Sequence, residues 1–67
     1  MNGDAITLMI VRALFPHWSI TLDGAGVWRA IGRMVLSASD VDGLLAMLHA
    51  ADPEAARRAV ELLEEAS

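Results

Sequence analysis

Between Trp18 and Ile31 the chain switches to a period of two. Trp18, Ile20 and Leu22 alternate with Ser19, Thr21 and Asp23, a Gly-rich segment Gly24-Ala-Gly26 follows, and Val27-Trp28-Arg29-Ala30-Ile31 resumes the alternation. Alternation at this period describes a strand with one buried face, and two such runs around glycines describe a β-hairpin. Several registers are open to the turn. A three-residue loop, Gly24 to Gly26, with Gly26 in the left-handed position of a bulged turn, sets Leu22 opposite Trp28 and Ile20 opposite Ala30. Both apolar rows then share a face. A two-residue loop would pair Ile20 with Arg29 and turn Trp28 outward, so burial selects the longer loop.

The rest of the chain has to cover that face. Upstream, Asp4 to about Leu14 reads as a helix, capped by Asn2 or Asp4, with Ile6, Met9, Ile10 and Ala13 as an apolar stripe at helical spacing. Leu8 and Val11 widen it, leaving Thr7 and Arg12 as the polar positions; a helix this apolar is central in the fold or lies in an interface. Pro16 ends it. Downstream, Gly32 marks a bend or bulge, and Met34–Ala38 reads as a third short strand. Ser39 or Asp40 caps a helix from Val41 to about Ala50, with Val41, Leu44, Leu45 and Leu48 inward. Asp52-Pro53 restarts a last helix, to about Glu65. Its narrow stripe is Ala56, Val60 and Leu63, and Glu54–Arg58 and Arg57–Glu61 stand at i,i+4. The expected fold is α+β, in the order α-β-β-β-α-α: a single small domain, residues 1–67, with a three-stranded antiparallel sheet and helices packed on one face.

Composition narrows the function. With 67 residues the core is small, and the absence of cysteine removes disulfides and thiolate zinc sites. Hydrophobic residues are 55% of the chain, more than so small a fold can hide. Twelve alanines account for part of that figure; the rest points to an apolar patch for self-association or a partner. Nine acidic residues against five arginines and no lysine give a net charge of −4, which argues against phosphate-driven nucleic-acid binding. Alanine-rich, lysine-free composition is the habit of GC-rich genomes. The apolar run from Ala5 to Phe15 lacks a basic leader and a small-residue cleavage site and is too short to span a bilayer, so a cytoplasmic location and no membrane partner are expected.

Chemical motifs are weak. His17 and His49 have no ligand partners at metal spacing, and Ser19, Ser37, Ser39, Ser67, Thr7 and Thr21 lie outside any nucleophile-elbow context. Gly24-Ala-Gly26 is followed by strand rather than by the helix that would hold a phosphate. The expectation is a non-enzyme without cofactor, metal or small-molecule substrate. Val27, Arg29, Ile31 and Arg33 fall on the sheet face opposite Trp28 and form the candidate partner-binding surface, since arginine grips carboxylates bidentately and is enriched in hot spots; a solvated outer face is the competing reading. A sheet edge able to accept a partner strand is a second opportunity.

Three resemblances follow from these residues. Phe15-Pro16-His17-Trp18-Ser19-Ile20 with Trp28-Arg29-Ala30 resembles a group of short uncharacterised actinobacterial and actinophage proteins over residues 8 to 50; that resemblance implies no known activity, and a small acidic accessory or inhibitor protein of phage or mobile-element origin would fit it. The element order is similar to β-hairpin docking domains of peptide-synthetase and polyketide-synthase subunits, which implies capture of a short peptide tail, although Arg29 and Arg33 are the hairpin's sole basic residues. The α-β-β-β-α core also resembles double-stranded-RNA-binding domains, with Ser39, Asp40 and Asp42 where that family has a basic helix start. The favoured expectation is a protein–protein interaction module acting as a homodimer.

Overall fold

The computed structural model describes residues 3–66. Asn2, one of the two expected caps of the first helix, lies outside them, as does Ser67. Helix α1 spans Gly3–Leu14, strands β1, β2 and β3 span Ser19–Leu22, Trp28–Ile31 and Val35–Ala38, and helices α2 and α3 span Val41–Ala51 and Pro53–Ala66. The strands form one antiparallel sheet in the order β1-β2-β3. The protein is therefore α+β, with a small sheet packed against helices.

The hairpin has the register that burial demands: Leu22 pairs with Trp28 and Ile20 with Ala30. Asp23 N–H donates to the Val27 carbonyl (3.1 Å), closing the three-residue loop, and Gly26 takes φ of 85°. The Asp23 side chain does the rest of the turn's work. Its Oδ1 accepts from the backbone N–H of Ala25 (2.9 Å) and Val27 (3.0 Å), an Asx arrangement that satisfies donors the loop would leave bare. Gly32 follows β2, where its N–H donates to the Met34 carbonyl (3.0 Å). A Cβ at this position would stand 2.8 Å from Trp18 Cε3, so the glycine is what lets the indole lie on the backbone.

The inner sheet face carries Ile20, Ala30 and Trp28, all buried with Trp18, and Leu22, Leu36 and Ala38 pack around them. Helix α2 lies across β2 and β3, with Leu44 and Leu48 wholly buried and Val41 and Leu45 at the margin. Asp40 caps it through Oδ1, which accepts from Gly43 N–H (2.7 Å). Helix α1 lies along β1, where Arg12 Nε donates to the Ile20 carbonyl (2.9 Å) at the strand's outer edge. Helix α3 packs on α2 and α1.

Two helix faces differ from expectation. On α1 the sheet takes the Leu8–Val11–Phe15 side, while Ile6, Met9, Ile10 and Ala13 point away from it. A helix apolar on nearly every side can bury any of them, and the side that is buried here brings Arg12 Nε to the Ile20 carbonyl. On α3 the buried residues are Ala55, Ala56 and Ala59, whereas Val60 and Leu63 of the expected stripe are exposed. Small side chains let α3 approach the neighbouring helices closely, which rotates the larger ones outward.

Candidate interaction surfaces

The outer sheet face is built by alternation from Ser19, Ile31 and Val35 in one cross-strand row and Thr21, Arg29 and Ser37 in the next. Ile31 and Val35 are exposed; Val27 is half-buried at the mouth of the turn. The two arginines are already engaged. Arg29 Nη1 lies 2.8 Å from Asp23 Oδ2 across the hairpin. Arg33 sits in the β2–β3 turn and its Nη2 is 3.7 Å from Asp52 Oδ1, at the α2–α3 junction, rather than beside Arg29. The structure thus keeps Arg29 and Ile31 on one face and separates Arg33 from them. The Arg29–Asp23 pair is solvent-exposed and contributes little to stability.

Asp52 is the most connected polar residue of the helix layer. Its Oδ2 accepts from the Trp18 indole Nε1 (2.9 Å), its Oδ1 accepts from Ala55 N–H (3.2 Å) as the α3 cap, and its own N–H donates to the Leu48 carbonyl (2.8 Å). The side chain is 15% exposed. The indole hydrogen bond, then the Ala55 N–H, hold its carboxyl below the ordinary value of 3.8, with Arg33 and Arg58 assisting against partial desolvation. Asp23 is lowered too, first by the Val27 N–H and then by Arg29. Both shifts have structural causes within a turn and a cap.

Among the surface hollows lined by described residues, two lie where elements meet. One, about 380 Å³, lies between the start of α1 and the hairpin turn, against Asp4, Leu8, Leu22 and Asp23; its Asp23 carboxylate is committed to the turn. The other, about 200 Å³, is an apolar groove between the end of α1, α2 and α3, walled by Leu14, Leu45, His49, Ala56, Val60 and Leu63. His17 and His49 are both exposed, and no group of three or more His, Asp or Glu able to hold a metal occurs among the described residues. No helix among them is long and apolar enough to cross a membrane.

Large apolar side chains are uncovered on α1, on α3 and at the β2–β3 end of the sheet, where Val35 is 66% exposed and Ile31 and Met34 are each 45% exposed. Met9 is 69% exposed, with Ile6 and Ile10 beside it on the outer side of α1. Val60 (54%) and Leu63 (53%) stand with Leu62 on the second half of α3. Sequence reasoning placed those stripes correctly as stripes but could not say that the fold leaves them outside. It missed the Trp18–Asp52 bond altogether, because nothing local links residues 34 positions apart. No known protein family, curated protein or solved structure matches this chain.

Proposed function

We propose that the chain is a non-catalytic protein–protein interaction module that works as a homodimer through its uncovered helix faces. The observation that carries this reading is apolar surface left uncovered on two helices: the outer side of α1 and, on the second half of α3, Val60, Leu62 and Leu63. Ile6, Met9 and Ile10 form a contiguous aliphatic strip on a folded helix, with the core filled from the opposite side. Aliphatic strips of this kind are the usual anchors of helix-mediated recognition. The outer sheet face, the other candidate, mixes hydroxyls and a paired arginine with Ile31 and Val35 and is the weaker of the two.

Net charge supports the same reading against phosphate binding: −4 overall, with Arg29, Arg33 and Arg57 each beside a carboxylate. Sedimentation equilibrium over a concentration series tests the homodimer; a dimer at low micromolar concentration is expected. Titration with a 20-base-pair duplex at low salt tests the competing class, and no binding is expected. A strict monomer, or duplex affinity that falls steeply with salt, overturns the proposal.

A further inference from the structure

The stripe Ala56–Val60–Leu63 of α3 has heptad spacing, and only its first member is buried within the chain. Taking Val60 as an a position, Ala56 and Leu63 are d positions, and the two residues flanking this seam on one side, both e positions, are Arg57 and Glu64. They carry opposite charges seven residues apart. When two copies of such a helix lie antiparallel, Arg57 of each faces Glu64 of the other, twice by symmetry. In a parallel pair an e position faces a g position of the partner, so Glu64 would meet Ala59 and the Arg57–Glu64 contacts would be lost. The flanking charges therefore specify both the occupant and its direction.

We infer that α3 is the self-association element: two copies pair their α3 helices antiparallel along Ala56, Val60 and Leu63, and Leu63 of each enters the other's groove. This inference rests on the homodimer reading above. The groove suits it, because Ala56 and Ala59 leave room beside Leu14 and Leu45 for an incoming leucine. Arg57 now holds Glu54 and Glu61 on its own helix; those pairs are exposed and worth a few tenths of a kcal/mol, so sharing the guanidinium with a second chain costs little. A stable dimer takes about 800 Å² from each partner, about a fifth of the 4409 Å² this chain exposes. The seam and the groove walls are covered together on this arrangement, and the α1 strip stays open for a different protein.

The test uses the full chain and its variants in sedimentation equilibrium, with circular dichroism as the folding control. Leu63→Glu should yield a folded monomer. Arg57→Glu and Glu64→Arg should each weaken the dimer about fivefold through two like-charge contacts, and the double variant Arg57→Glu/Glu64→Arg should restore it. If the wild-type chain dimerises but Leu63→Glu leaves the dimer intact, this inference fails while the homodimer reading stands. If Leu63→Glu dissociates it and the double variant does not recover, antiparallel pairing is wrong. A wild-type chain that is monomeric up to millimolar concentration overturns both readings.

Discussion

Helices α2 and α3 are consecutive, meet at Asp52, and each carry an apolar stripe, yet the fold treats them oppositely. On α2 the stripe Leu44–Leu48 is wholly buried; on α3 the corresponding large residues Val60 and Leu63 are exposed and alanines make the contact. The difference lies in what stands opposite. Four-residue strands offer little inner surface, and α2 occupies the part over β2 and β3. Helix α3 arrives last, against helices rather than strands, and close approach there favours Ala55, Ala56 and Ala59. A stripe is a request for cover. In a chain this short only one of two requests is met internally.

The covered side should dominate stability. Trp28→Ala is expected to cost roughly 3–5 kcal/mol by emptying a core site, and Leu48→Ala roughly 2–5; urea unfolding curves measure both, and near-wild-type midpoints would show that the sheet face is not the core. Gly32→Ala should be the next largest. Its Cβ would meet the Trp18 ring at 2.8 Å, and relieving that overlap costs about 1–3 kcal/mol, whereas Gly24→Ala, which meets nothing within 4 Å, serves as the control.

Acidification probes the joint between the two helices. The Asp52 and Asp23 carboxyls lie below their ordinary value of 3.8 in the folded chain. Their stabilising contribution is therefore complete above about pH 5 and is lost as pH falls through the lowered folded-state values. Thermal melts between pH 6 and pH 2.5 should show a falling Tm, and Asp52→Asn, which does not ionise and keeps one acceptor oxygen for either the Trp18 indole or the Ala55 N–H, should flatten part of that fall. An unchanged slope would mean that the Trp18–Asp52 bond does not form. The smallest effect belongs to the uncovered side: Leu63→Ala should leave the stability of the monomer within about 0.5 kcal/mol. A loss comparable to Leu48→Ala would erase the contrast between the helices.

What could be read before the structure follows the same division. The hairpin was legible to the residue, because period two and a Gly-rich turn leave one register that buries both Trp18 and Trp28. The Asp40 and Asp52 caps were legible because capping is local. Helix faces were less so. Helix α1 is apolar nearly all round, so its spacing does not single out the buried side, and the Arg12–Ile20 bond that accompanies it spans a turn. On α3, the expected stripe Ala56–Val60–Leu63 was right for Ala56 and wrong for Val60 and Leu63, because Ala55 and Ala59 make the remaining buried contact against the other helices. Arg29 was placed on the correct face, and its diagonal partner Asp23, across the turn, was the readable signal that it was already paired.

The most direct test is an isotope-filtered nuclear Overhauser experiment on an equimolar mixture of labelled and unlabelled chains, with methyls assigned. The account predicts intermolecular contacts from the Val60 and Leu63 methyls, to each other and to Leu14 and Leu45, and none from Val11, Leu44 or Leu48. Intermolecular contacts confined to Ile31 and Val35 on the outer sheet face, or none at concentrations where the chain is dimeric, would contradict it.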